Sequence, residues 1–331
     1  MLQAAGRKAH SIGIDLGGTK IEIAVVGDTS AQVEHVHLAT GPAGEAERTL
    51  QELIDCLKDK FPSTPGSLPV AVGVGVAGQV NPSTGVVQFA PNLRWRNVPL
   101  RAPLERALAV PVKIMNDVHA ATYGEWMYGA GRGHDDLVCL FVGTGIGGGV
   151  VSGGRFLMGH SGSAGELGHM TIDLAGPLCS CGNRGCLEAF TGGWAIANLA
   201  RLRLRAEPEE GPWIRRLTNG DLGTITAQIV NEAASHGDRL AQSLQTVAGR
   251  ALGVGLANMI NAFNPARIIL GGGVVAGMPE LLAIAEREAK SRALKAPLRG
   301  IEIVKAELGP LAGAIGAAAR ARDLIRGAPN R

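Results

Sequence analysis

HSIGIDLGGTKIEIAVV, residues 10–26, and LVCLFVGTGIGGGVV, residues 137–151, share one plan: an apolar β-branched run, a glycine turn carrying a threonine, and a second apolar run. Such runs on either side of a tight glycine turn are hairpin signals. The match in type and polarity reads as a loose duplication, two α/β halves that each contribute one glycine hairpin.

Between the hairpins, residues 44–60 carry helical spacing, with Leu50, Leu53, Ile54 and Leu57 on one face. PVAVGVGVA at 69–77 reads as a buried strand. VKIM at 112–115 reads as another, which ends at Asn116-Asp117 and hands over to a helix through Trp126. Beyond the second hairpin, 194–206 and 225–263 are helical, and RIIL at 267–270 is a strand running into Gly271-Gly272-Gly273. The Ala-rich tail, 310–326, is expected to pack back on the first half. The expected division is therefore 1–118 plus 306–331 as a smaller α/β domain, and 119–305 as a larger one. Residues 207–223 match no motif and read as an inserted loop with a short helix.

Composition agrees with two packed domains. The chain has 331 residues, 46% of them apolar, with 48 glycines and 4% aromatics; about 150 residues per domain is usual. That apolar content excludes disorder, and glycines without a period of three exclude collagen. A net charge of +3 is too small a bias to argue for nucleic acid or membrane. Arg201, Arg203 and Arg205 read as the wet face of a helix. Residues 61–93 are uncharged, but five prolines and five glycines there exclude a membrane helix. The leading residues carry Arg7 and Lys8 without an apolar signal core, so a cytoplasmic protein is expected.

A phosphate chain needs several backbone N–H groups converging on it, and glycine permits that approach. Gly17-Gly18-Thr19-Lys20 and Gly143-Thr144-Gly145 both fit, each with a threonine hydroxyl as an extra donor. Ordinary hairpin turns are the plainer reading of one such loop; two alike, with the third cluster at Gly271–Gly273, favour phosphate. Gly143, Gly145 and Gly148 match G-x-G-x-x-G, as do Gly73, Gly75 and Gly78. No helix follows either one, so the dinucleotide reading fails on context. Asp15, just before the first loop, would repel a polyphosphate unless a cation intervened, which suggests Mg²⁺. A turn-forming aspartate is the alternative.

Asp117, at a strand end, could take the proton from a sugar hydroxyl attacking a γ-phosphate. Asn116 and Asp117 are also favoured helix caps, and the two roles are compatible. Cys179-x-Cys181-x4-Cys186, with His169 ten residues upstream, makes a full Cys3His set for structural Zn²⁺. Gly182 and Gly185 would let the loop wrap the ion; unligated thiols are the alternative. Cys56 and Cys139 read as core residues. Glu166 and Glu188 bracket the cluster, and paired carboxylates with an imidazole suit bidentate recognition of a polyol. Solvated surface glutamates are the plainer reading. His160 has no evident partner.

DLGGTK at 15–20, VGTGIGGG at 142–149, E-x-G-H at 166–169 and CSCGNRGCLE at 179–188 together resemble the ROK family (repressors, open reading frames, kinases), most closely its bacterial glucokinases. The resemblance covers essentially the whole chain. It implies an actin-like/hexokinase-like (ribonuclease H-like) fold of two α/β domains around a cleft. It further implies ATP across the glycine hairpins with Gly271–Gly273 near the adenosine, and Asp117 as catalytic base. The sugar would lie against Gly78, Asn92, Asn116, Asp117, Glu166, His169 and Glu188. His169 would serve twice, one ring nitrogen on zinc and the other toward the sugar. A homodimer is implied as well.

The expected activity is transfer of phosphate from Mg-ATP to the 6-hydroxyl of a hexose, glucose first. One departure stands beside the sugar: Ala77-Gly78 where members often carry Pro-Gly, which alters loop stiffness there. An N-acetylhexosamine kinase is the alternative within the family. A sugar-responsive repressor would need a helix-turn-helix domain, for which the ten or so residues before the first strand are too few. An actin-like filament or chaperone ATPase would leave the cysteine cluster and its flanking carboxylates without a purpose.

Overall fold

Two glycine hairpins begin two sheets of the same plan in the computed structural model, which describes residues 10–27, 34–61, 69–325 and 327. Residues 1–9, with Arg7 and Lys8, and residue 326 of the tail lie outside the described residues. The chain folds into two compact units. One comprises residues up to His134, Gly154–Ala164 and Ala306 onward; the other comprises Asp135–Gly153 and Gly165–Lys305.

In the first unit, β1 (His10–Leu16) and β2 (Lys20–Gly27) form the hairpin, and β3 (Glu34–Ala39) extends it antiparallel. Helix α1 (Ala46–Lys60) leads to β4 (Ala71–Val76). A small antiparallel sheet follows, β5 (Gln79–Val80), β6 (Val86–Ala90) and β7 (Trp95–Pro99). Then come α2 (Arg101–Leu108), β8 (Val112–Asn116) and α3 (Asp117–Tyr128). The large sheet has the order β3-β2-β1-β4-β8, with β1, β4 and β8 mutually parallel. Every residue of β4 is buried, as expected of a central strand covered on both faces.

The second unit repeats the arrangement. Strands β9 (Leu137–Val142) and β10 (Ile146–Ser152) form the hairpin, and β11 (Arg267–Gly271) and β12 (Glu302–Lys305) add parallel beside β9. Its helices are α4 (Glu188–Thr191), α5 (Gly193–Ala206), α6 (Pro212–Leu217), α7 (Ala227–Ser235), α8 (Arg239–Phe263), α9 (Gly273–Gly277) and α10 (Pro279–Arg292). The duplication read from the hairpins is thus present in the topology. The single helix expected over 225–263 is two: Gly237 adopts φ +83°, and Asp238 caps α8 by accepting from the Ala241 N–H. The 207–223 stretch holds the short helix α6, as expected.

The chain then returns to the first unit as α11 (Ala312–Ile325), which packs on β1, β4 and α3. Buried Glu125 accepts from the N–H groups of Glu307 (3.1 Å) and Leu308 (2.8 Å) and secures the return. Gly13 and Gly73 are register partners under α11, and a Cβ on either would collide with the carbonyl oxygens of Ala314 or Ala317. Gly316 meets Ala120 of α3 in the same way. This backbone-to-backbone packing keeps α3 with the first unit, so the division expected at residue 118 falls inside that unit.

Candidate active site

Strands β1, β4 and β8 end side by side at Leu16, Val76 and Asn116. Ligand-bearing groups gather at the carboxyl ends of parallel strands in α/β sheets. Asp15 and Met115 flank Gly75 in register, and Asp117 follows one residue past the end of β8. A Cβ on Gly75 would stand 3.1 Å from the Ala120 Cβ and 3.3 Å from the Asp117 Cα, so the glycine lets the start of α3 lie close on β4.

Burial, followed by the charge of Asp117, pushes the Asp15 carboxyl up to about 7. Asp117 is also raised, by burial, against its own and the Val118 N–H groups and the Asn116 amide, which donates to Oδ1 at 2.9 Å. A carboxylate that binds its proton more tightly is a stronger base at neutral pH. The cap of α3 is Asn116, whose Oδ1 accepts from Val118 and His119; Asp117 is the first helical residue. The Asn116 amide also donates to the Gly78 carbonyl at 3.2 Å. Asp15 is the fit for a divalent cation here, because such an ion would offset the charge that burial disfavours.

The first hairpin tip is braced from β3. Thr40 donates from Oγ1 to the Gly17 carbonyl (2.8 Å) and from N–H to the Thr19 carbonyl (3.1 Å). The Gly17 N–H closes the turn onto the Lys20 carbonyl at 3.0 Å and is spent there. Thr19 is exposed, and Gly18 lies against Asn92, whose Cβ would be 3.0 Å from a Cβ added to the glycine. Lys20 donates to Glu22 (3.1 Å), which His35 (2.6 Å) and His37 (3.2 Å) also hold. These bonds keep the Glu22 carboxyl below its ordinary range despite burial. Sequence reasoning missed Glu22 and Thr40; a glutamate inside the apolar run of β2 was the available signal.

In the second unit, the Gly143 N–H closes the turn onto the Gly145 carbonyl at 3.0 Å. The Gly143 and Thr144 carbonyls accept from the first amides of α5, Gly193 (2.9 Å) and Trp194 (3.1 Å). Gly272, at φ +91°, presses so closely on Val142 that a Cβ would strike its carbonyl, which brings Gly271–Gly273 beside the hairpin base. Gly143 and Gly273 face open space.

His169, Cys179, Cys181 and Cys186 converge, their ligand atoms all within 4.8 Å of one another. Cys181 Sγ to Cys186 Sγ is 3.7 Å, and Cys179 Sγ to His169 Nδ1 is 3.7 Å. Metal–sulfur bonds of about 2.3 Å in a tetrahedron give S···S edges of about 3.8 Å, so the donor set fits Zn²⁺. Burial raises the Cys179 thiol and pushes Cys186 up to about 12, while the Asn183 N–H lowers Cys181. Gly182 and Gly185 turn the loop at φ +89° and +71°. Nδ1 of His169 faces the thiols, leaving Nε2 for the other side. Glu166 and His160 are exposed, and Glu188 is buried. A cavity of about 560 Å³ in the first unit, lined by Phe89, Trp95 and Arg96 among others, includes none of these site residues.

The ROK family model matches residues 11–323. The chain belongs to the ROK family. Its fold is accordingly the actin-like/hexokinase-like one of two α/β domains. It is 34% identical over 315 residues to a glucokinase of Streptomyces coelicolor, covering 95% of this chain and 98% of the relative. Over 320 residues it is 32% identical to a xylose repressor of Bacillus subtilis, covering 96% and 78% respectively. The crystal structure of a ROK family glucokinase from Streptomyces griseus, in complex with glucose and AMPPNP, superimposes with a TM-score of 0.78 at 35% identity, covering 95% of this chain and 100% of that one.

Proposed function

We propose that this ROK member transfers the γ-phosphoryl group of Mg-ATP to the 6-hydroxyl of a hexose, with glucose preferred. It is a sugar kinase. The observation that supports the reading most is the set of strand ends in the first sheet, where half-buried Asp117, its proton affinity raised, stands beside Asp15 and the first glycine hairpin. Asp117 orients the attacking hydroxyl and accepts its proton, and Asn116 holds that carboxylate in place. Gly78, Asn92, Asn116, Glu166, His169 and Glu188 are proposed to hold the sugar. The amides of the two hairpins other than those of Gly17 and Gly143, which close the turns, are proposed with Asp15, Lys20 and Mg²⁺ to take the phosphates, and Gly271–Gly273 the adenosine. Zn²⁺ held by His169, Cys179, Cys181 and Cys186 would order the loop that leads into Glu188 and α4, and a filled tetrahedron would leave the ion no position for substrate. We place the protein in the cytoplasm as a homodimer. Among the described residues, no helix is long and apolar enough to cross a membrane.

The test is ADP release with glucose, mannose, fructose, N-acetylglucosamine and N-acetylmannosamine. Glucose should give the highest kcat/KM. Asp117→Asn should lose about two to four decades of turnover while still binding the sugar in a calorimetric titration. No ADP release with any sugar, or wild-type turnover in the variant, defeats the reading. Preference for an acetamido sugar selects the second reading, an N-acetylhexosamine kinase. Sequence-specific DNA binding without turnover selects a repressor.

A further inference from the structure

The carboxylate of Glu188 joins three pieces of the second unit. Its Oε2 accepts from the Ile146 N–H at 2.8 Å, directly after the tip of the second hairpin. Its Oε1 accepts from the Ser180 hydroxyl at 3.1 Å, between two of the clustered cysteines, and from the Trp194 indole N–H at 3.2 Å, at the start of α5. Cys179 Sγ stands 3.9 Å from that same oxygen. A Cβ on Gly145 would come within 2.6 Å of Oε2, so glycine there lets the carboxylate reach the hairpin amide.

A second route runs beside the first. Trp194 packs on Cys179, Cys186 and Ala189, while its backbone N–H donates to the Thr144 carbonyl at 3.1 Å. A glycine-rich tip has little conformational preference of its own, and an anion nest requires its amides to be fixed. Here the fixing groups, Glu188 of α4 and Trp194 of α5, are themselves held by the cysteine loop through Ser180, Cys179 and Cys186, and a metal on the donors of that loop would order it.

We propose that Glu188 is a positioning residue that couples the Cys3His loop to the second glycine hairpin, so that metal occupancy sets the hairpin's affinity for a nucleotide's phosphates. The identity of the ligand rests on the kinase reading; the coupling rests on the contacts alone. A Glu188 that served only the sugar would leave nucleotide binding untouched.

The experiment titrates a non-hydrolysable ATP analogue, without sugar, into the full-length protein by calorimetry. The arms are the zinc-loaded protein, the chelator-stripped protein, Glu188→Gln and Trp194→Phe. Hydrogen exchange of the 144–148 amides is followed in each. Gln keeps one acceptor but loses the charge and the second acceptor; Phe keeps the packing but loses the indole donor. Stripping should weaken the analogue by about tenfold or more, Glu188→Gln by a similar factor with zinc content unchanged, and Trp194→Phe by less. Stripping Glu188→Gln should add little further loss, since both changes break one joint. Exchange at 144–148 should rise in parallel. If the stripped protein unfolds, the two zinc-loaded variants decide. Should the wild type bind no nucleotide while exchange still rises, the kinase reading fails and the coupling stands. Wild-type exchange at 144–148 in both the stripped protein and Glu188→Gln overturns the proposal, as does wild-type analogue affinity in zinc-loaded Glu188→Gln.

Discussion

Asp15 is a carboxyl held where its charge is disfavoured. Its value rises from 3.8 to about 7, with burial the larger cause and Asp117 the next. Below pH 4 the group is neutral in folded and unfolded chain alike. Between there and about pH 7 the folded protein keeps a proton that the unfolded chain has released, so stability falls as pH rises through that window. Above it the full cost is present. Asp15→Asn should therefore raise the unfolding temperature of the metal- and nucleotide-free protein at pH 8, by an amount worth roughly 2–4 kcal/mol. The gain should vanish near pH 4. Thermal melts at the two pH values check this, and an equal gain at both would place the cause elsewhere. On the proposed function the cost is retained because a cation at this position would offset the charge of a polyphosphate.

At the scale of elements, α11 is set onto its sheet by glycines that allow backbone to touch backbone. Gly73→Ala puts a methyl group into the Ala317 carbonyl, and neither strand nor helix has a side chain that could yield. Overpacking of this kind costs about 1–3 kcal/mol, occasionally more. Gly73→Ala should lower the unfolding temperature by several degrees, whereas Gly277→Ala, which meets nothing within 4 Å, should change it little. Scanning calorimetry of the pair separates close packing from the general effect of removing a glycine. The motif G-x-G at 73–75 thus serves the packing of α11 at Gly73 and of the start of α3 at Gly75.

At the scale of the whole molecule, each unit buries its own core. One is built on β1, β2, β4 and β8 with α1 and α2; the other is built on β9, β10 and β11 with α5, α7, α8 and α10. The cysteine loop belongs to the second unit. Metal analysis should find one zinc per chain. Chelation should lower the unfolding temperature of the second unit by on the order of 5–10 °C and leave that of the first in place. Trp194 and Trp213 lie in the second unit, Trp95 and Trp126 in the first, so single-tryptophan variants followed by fluorescence can report each unit. Equal shifts in both would contradict a loop that is structural to one.

Local chemistry was legible in the chain before folding. Apolar runs around Gly17-Gly18 and Gly143–Gly145 announced two hairpins, the cysteine spacing announced a tetrahedral donor set, and a strand ending at Asn116-Asp117 announced a carboxylate at a strand end where a helix begins. Each depends on neighbours within a few residues or on backbone needs that only certain residue types meet. Thr40 bracing the first tip, Glu22 holding Lys20, and Glu188 joining Ser180, Trp194 and Ile146 were decided only in three dimensions. The break between α7 and α8 lay between these cases, since Gly237-Asp238 marked it locally within a helical pattern. Long-range partners are chosen by strand register and by the approach of backbones. Those depend on the whole pattern of burial, so no stretch of sequence read alone contains them.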